Sequence, residues 1–143
     1  MIQRLNDTHL EGVAELERLC FSAPWTKASL TLLLRDGNYG TVALEGETVV
    51  SYAGLIRALD EGEITNVATH PDHRKRGYAK QVLLELIETA RTEGLVRITL
   101  EVRVSNAAAR SLYTALGFGD CGIRKNFYAC PREDGIVMEL LLK

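Results

Sequence analysis

The sequence predicts an α/β fold in which a mixed sheet is wrapped by helices. Two patterns point to it. Apolar residues alternate at period two in some segments and recur at period 3.6 in others. The two kinds of segment intermix in the order β-α-α-β-β-β-α-β-α-β-β, without sorting into separate all-β and all-α blocks. Size and composition agree. The chain has 143 residues, 46% hydrophobic and 25% charged, which suits one domain over residues 1–143 with a core that needs no metal or disulfide staple.

Each element has a local signal. Residues 2–5 read as a short first strand. Thr8 and Glu11, three apart, predict a capping box for a helix striped by Leu10, Val13, Leu16 and Cys20. Ser22-Ala23-Pro24-Trp25 breaks that helix, and Thr26 predicts the cap of a second one carrying Leu30, Leu33 and Leu34. Asp36-Gly37-Asn38 ends it. Residues 41–44 and 48–56 then form a hairpin around Glu45-Gly46-Glu47. A further strand spans 63–69. After a polar loop, Ala79, Val82, Leu83, Leu86, Ile87 and Ala90 define one face of a strong helix that Gly94 stops. Residues 96–104 alternate as a strand, with Ile98, Leu100 and Val102 on one face and Thr99, Glu101 and Arg103 on the other. Ser105-Asn106 predicts the cap of a helix carrying Ala109, Leu112, Tyr113 and Leu116, closed by Gly117. Residues 118–142 read as two strands joined around 131–135.

Several function classes drop out. A net charge of −2 argues against a chain-wide nucleic-acid binder. No apolar run approaches the ~18 residues that cross a bilayer, and the first seven residues lack the apolar core of a signal peptide, so the expected location is the cytoplasm. Cys20, Cys121 and Cys130 are odd in number and widely spaced, with no CxxC pair; each is expected to be a small buried apolar residue. His9, His70 and His73 show no metal-ligand spacing, and no metal is expected.

One loop stands out. Between the strand 63–69 and the helix that follows, Arg74, Lys75, Arg76 and Lys80 face a single Asp72, a local charge of +3. Amides at a helix start have no intrahelical partner and favour anions, and Gly77 lets a ligand approach the backbone. A solvated basic turn is the plainer reading of the same residues. The loop is neither GxxxxGK[ST] nor GxGxxG, so nucleotide and dinucleotide folds are unsupported.

The loop fits Arg-x-x-Gly-x-Ala as Arg74-Lys75-Arg76-Gly77-Tyr78-Ala79. With Asn66-Val67-Ala68-Thr69-His70-Pro71 before it, it resembles the pyrophosphate-binding motif of the GNAT superfamily of N-acetyltransferases. A second block, Leu100 to Asn106 with Ala109, Leu112-Tyr113 and Gly117-Phe118, and a third, Gly122 to Tyr128 with Glu133-Asp134 and Met138, resemble the ribosomal-protein-alanine N-acetyltransferase branch, the RimI type. The resemblance spans the chain and is strongest from 66 to 138.

The resemblance implies a mostly antiparallel sheet whose central parallel strands, 64–69 and 96–104, splay apart to admit acetyl-coenzyme A. It implies that backbone groups of Val67, Ala68 and Thr69 line the pantetheine and acetyl group, that Arg74, Lys75, Arg76, Gly77, Tyr78, Ala79 and Lys80 hold the pyrophosphate, and that Asn106 is a further cofactor contact. Glu101 matches the family's general base and Tyr113 its general acid. Trp25 and Tyr128 would border the acceptor groove. The implied partner is a protein N-terminus, namely the N-terminal alanine of the eighteenth small-subunit ribosomal protein. Other N-termini, lysine side chains or small amines are the wider acceptor class, and a non-catalytic acyl-coenzyme A sensor is a rival that would need neither Glu101 nor Tyr113. On residue pattern alone, Glu101 reads equally as a solvent-face strand residue, Tyr113 and Trp25 as core aromatics and Asn106 as a helix cap. The third block departs from the family at Phe127, where Tyr is frequent, and at Gly135, where Ala is usual; His70 stands at a position often acidic. Glu133 and Asp134 read either as a solvated turn or as a surface for a basic peptide.

Overall fold

A computed structural model describes residues 1–142. The strands are β1 (Ile2–Arg4), β2 (Tyr39–Glu45), β3 (Thr48–Ala58), β4 (Glu61–Thr69), β5 (Arg97–Arg103), β6 (Gly119–Ala129) and β7 (Arg132–Leu141). The helices are α1 (Leu10–Cys20), α2 (Lys27–Leu30), α3 (Tyr78–Thr92) and α4 (Ala107–Ala115). The strands form one sheet in the order β1-β2-β3-β4-β5-β7-β6. Every neighbouring pair is antiparallel except β4 and β5.

Each face of the sheet buries its own core. On one side α3 sets Val82, Leu83, Leu86, Ile87 and Ala90 against Ile98, Leu100 and Val102 of β5, with Tyr113 of α4 in the same cluster. On the other, α1 sets Leu10, Val13, Ala14 and Leu16 against Val42, Val49 and Tyr52, with Leu30 and Leu33 completing it. The 3.6-period stripes predicted for both helices are therefore their buried faces.

Four local expectations are corrected. The cap of the first helix lies two residues earlier than Thr8. Asn6 accepts from the Thr8 N–H at 2.9 Å, and the buried His9 ring returns the bond by accepting from the Asn6 N–H at 3.1 Å. A capping box forms, with histidine in the role usual for Glu, and a 3-10 turn over Asp7–His9 leads into α1. Thr26 does cap α2, but that helix passes into a 3-10 turn after four residues; the rephasing leaves Leu34 exposed while Leu30 and Leu33 stay buried. The last hairpin reverses at Cys130-Pro131, where proline has no N–H to give a ladder; residues 132–135 already belong to β7. Finally, Cys121 is exposed because β6 is an edge strand with both faces open, Cys130 is exposed in the β6–β7 turn, and only Cys20 is partly buried.

The site depends on one irregularity. β4 and β5 pair only through Glu61–Arg97, Gly62–Ile98 and Glu63–Thr99. Beyond that, β4 stays on β3, with Val67 opposite Ala53 and Thr69 opposite Ser51, while β5 stays on β7, with Glu101 opposite Val137. The two parallel strands part in the middle of the sheet, as the resemblance implies.

Candidate active site

A bulge marks the point of parting. Between Ile64 and Val67, two residues of β4, Thr65 and Asn66, face the single Gly54 of β3. A Cβ at Gly54 would lie 2.7 Å from the Thr65 hydroxyl oxygen and 2.8 Å from Leu33, so any larger residue would push those side chains aside. The bulge re-aims the backbone of β4 just where its β5 side loses its partner strand. The result is an open strand edge over residues 64–69, carrying Val67, Ala68 and Thr69.

The loop at the end of β4 lies on the same route. His70 caps a 3-10 turn over Pro71–His73 by accepting from the Asp72 N–H at 3.1 Å. Lys75 and Gly77 have positive φ, and Gly77 is the N-cap of α3 at φ +81°. A Cβ at Gly77 would meet nothing nearer than 3.9 Å, so the backbone conformation, not crowding, requires glycine there. Among the described residues, the amides of residues 74–80 have no partner; the first to find one is Gln81, at the Gly77 carbonyl. Unpaired amides at a helix start in an open, basic setting suit an anion.

The side chains of that loop are committed differently from their amides. Arg74 turns back to the Thr69 carbonyl at 3.3 Å. Glu45, at the β2–β3 turn, gathers three others: Arg76 at 3.4 Å, His73 at 3.3 Å and the Tyr78 hydroxyl, which donates to it. That hydroxyl, followed by His73 and Arg76, holds the Glu45 carboxyl below the usual range, and the same bond raises the Tyr78 phenol. Lys75 and Lys80 remain exposed. Glu45 had no signal in the sequence beyond its place in a turn.

Across the gap, Glu101 stands on β5 on the face opposite Leu100 and Val102. Its side chain is 14% exposed, and Arg124 of β6 reaches over β7 to pair with it at 2.6 Å. It is therefore not a solvated strand residue. Arg124 lies in the third motif block, 23 residues from Glu101, and only the interleaving of β7 brings them together.

Tyr113 of α4 is 8% exposed and packs on Phe118, ring centroids 6.0 Å apart. Burial pushes its phenol up to about 12, with the nearby Tyr128 phenol raising it further. It keeps its proton at neutral pH, and its hydroxyl has no hydrogen-bond partner among the described residues. The phenol of Tyr128 is itself raised by burial and then by the Glu101 carboxyl, with Arg103 opposing. Tyr128 thus lies within electrostatic reach of both Glu101 and Tyr113. The Arg103 guanidinium sits 4.4 Å from its ring centre.

Other candidates turn out to have structural employment. Asn106 caps α4, accepting from Ala109 at 3.2 Å. Glu133 pairs with Arg103 at 3.2 Å and accepts from the Ser105 N–H at 2.6 Å, while Asp134 accepts from the Asn126 N–H at 2.8 Å, so neither is a free acidic turn. A Cβ at Gly135 would make ordinary 3.4 Å contact with Phe127 and Tyr128, so glycine opens no room there that alanine would close. Trp25 is partly buried in the α1–α2 loop, and Ser22 of that loop donates to the Cys130 carbonyl at 3.1 Å, tying it to the β6–β7 turn that follows Tyr128.

A strand edge that opens beside unpaired amides, with a half-sheltered carboxyl on the strand that parts from it, is an arrangement that suits acyl transfer. The sequence matches the family model described as acetyltransferase (GNAT) family over residues 10–118, and the chain belongs to that family. It is an acetyl-coenzyme A-dependent N-acetyltransferase. The chain is 33% identical to a [ribosomal protein bS18]-alanine N-acetyltransferase of Haemophilus ducreyi, covering 99% of this chain and 100% of that protein. It is 35% identical to the protein of that name from Salmonella typhimurium, covering 97% and 95%. The crystal structure of the ribosomal-protein-S18-alanine N-acetyltransferase from Escherichia coli superposes with a TM-score of 0.92 at 30% identity, covering all of this chain and 94% of that one.

Proposed function

We propose that this chain acetylates the α-amine of a protein N-terminus, its acceptor being the N-terminal alanine of ribosomal protein bS18. The parting of β4 from β5 carries this reading, because it sets free strand amides on one wall and Glu101 on the other. Near-full-length similarity to enzymes named for bS18-alanine acetylation supports the acceptor.

The α-ammonium has no lone pair, and its ordinary pKa near 8 leaves most of it protonated at neutral pH. Glu101 takes that proton, directly or through one water. The amine nitrogen attacks the thioester carbonyl, forming the C–N bond. Free amides on the open edge of β4 hold the oxyanion. The carbon–sulfur bond then breaks, and the Tyr113 hydroxyl gives its proton to the departing thiolate. The nitrogen, which still carries two protons after attack, loses one through water to the Tyr113 phenolate, leaving the neutral amide, and Glu101 releases to water the proton it took. The amides of residues 74–80 hold the pyrophosphate, Val67, Ala68 and Thr69 line the pantetheine arm, Asn106 adds a cofactor contact through its free amide group, and Trp25 and Tyr128 border the acceptor.

The test is incubation with acetyl-coenzyme A and a panel of peptides that share the bS18 N-terminal sequence or differ at the first residue, read by mass spectrometry. One acetyl group on the α-amine of the Ala-initiated peptide is expected. Acetylation confined to lysine side chains, or equal rates for every first residue, overturns the reading.

A further inference from the structure

A carboxyl group that the reaction above does not use lies at the centre of the α1 side of the sheet. Glu17 is fully buried, at 0% exposure. Its Oε1 accepts from the Trp25 backbone N–H at 2.8 Å; its Oε2 accepts from the Asn66 side-chain amide at 2.9 Å and from the Tyr52 hydroxyl. None of these partners is a cation. Three donors and no acceptor surround it, which suits an acceptor-only carboxylate. A buried carboxylate without a cationic partner costs free energy to keep, and here it ties three pieces of chain: the α1–α2 loop at Trp25, the β4 bulge at Asn66 and the middle of β3.

We propose that Glu17 is a positioning residue for acceptor recognition. It sets the Trp25 wall of the groove at a fixed place relative to the β4 bulge that receives the reacting carbonyl. The proposal rests on the reading that Trp25 borders the acceptor. The reach of the two ties gives it direction. The Trp25 tie fixes an acceptor-side segment, and the Asn66 tie fixes the residue before Val67. Residues 70–80, assigned to the pyrophosphate, make no hydrogen bond to the Glu17 carboxyl. A change at Glu17 therefore falls on the acceptor wall at Trp25 and on the placing of the reacting carbonyl at the bulge, and leaves the grip on the coenzyme's phosphates in place.

Glu17→Gln keeps the volume but leaves one oxygen where two accepted, so the Trp25 and Asn66 amides compete for it. Trp25 is the only tryptophan in the chain, and its fluorescence reports the loop without any need for activity. In Glu17→Gln, acrylamide quenching of Trp25 is expected to rise, and the acceptor KM about five- to tenfold, the weight of roughly one hydrogen bond. The coenzyme A Kd by calorimetry is expected within about twofold of the parent. Tyr52→Phe removes a donor from the same carboxyl without cutting either tie. It is expected to lower the melting temperature and leave the acceptor KM unchanged. Should Glu17→Gln not fold, Asn66→Ala cuts the β4 tie alone and carries the same expectation for KM. Unchanged quenching, an unchanged acceptor KM, a parallel rise in the coenzyme Kd, or an equal rise in KM for Tyr52→Phe each overturns the proposal. A parent chain that acetylates no Ala-initiated peptide overturns the acceptor reading itself, which the fluorescence does not address.

Discussion

The carboxyl of Glu101 and the hydroxyl of Tyr113 carry different loads, and substitutions of a few atoms separate them. Glu101→Gln keeps shape and loses the base. Its partner Arg124 is more than half exposed, so the pair itself contributes only ~0–1 kcal/mol to stability. The expected outcome is a rate lower by about 10²–10⁴-fold with little change in coenzyme affinity, and partial recovery as rising pH neutralises the amine unaided. A near-normal rate at neutral pH removes Glu101 from the chemistry. Tyr113→Phe keeps the ring that packs on Phe118 and removes an oxygen that bonds to no described residue, so the melting temperature should hold. A coenzyme thiolate is a fair leaving group even unaided, since a thiol's ordinary pKa is only ~8.5. The loss should therefore sit near the lower end of that ~10²–10⁴ range. Single-turnover acetylation of an Ala-initiated peptide reads it without product release, and an unchanged rate returns Tyr113 to packing alone. Both residues were singled out by the family motif alone; strand alternation left Glu101 on a solvent face and helical spacing left Tyr113 in the core, where the structure does bury it. Arg124, Glu45 and Glu17 were not legible in the sequence, because each owes its place to contacts between elements far apart in the chain.

Among the elements, order and type were legible and ends were not, and the first helix illustrates why. Asn6 and Thr8 are both good caps, and local sequence does not rank them; burial of His9 under α1 decides for Asn6. The choice has a consequence for pH. Burial lowers the His9 pKa below its ordinary 6.5, and the ring must stay neutral to accept the Asn6 N–H. The unfolded chain therefore takes up the proton first. Stability from this ring is complete above pH 6.5 and is lost as pH falls towards the folded-state pKa. Urea midpoints measured at pH 7.5 and pH 5.5 should fall further for the parent than for His9→Gln, whose side-chain oxygen accepts the same N–H without titrating. Equal falls would remove His9 as the source.

The whole molecule is two half-sheets joined by three residue pairs at the foot of β4 and β5. Above that seam each strand leans on its outer neighbour; the α3-side core spans both halves, while the α1-side core packs on β2, β3 and β4 alone. Alternation in residues 96–104 announced a strand but carried no sign of the parting, because a strand that loses one partner keeps the same side-chain pattern. A ligand seated on the open edge of β4 and on the amides of residues 74–80 bears on the parallel join between the half-sheets, and binding to the folded state alone stabilises by mass action. At a coenzyme A concentration of about 100 Kd the gain is ~2.7 kcal/mol, which in a chain of this size raises the melting temperature by roughly 5–10 °C. Gly77→Val separates this linkage from general stiffening. Its backbone sits at φ +81°, where a β-branched residue is strained, so the unliganded protein should lose about 1–2 kcal/mol. Its amide cradle should also lose shape, so the coenzyme-induced shift should shrink to a few degrees or vanish. Melting curves of parent and variant, with and without coenzyme A, decide it. A Gly77→Val protein that melts lower yet gains the full coenzyme shift places the pyrophosphate elsewhere than the start of α3.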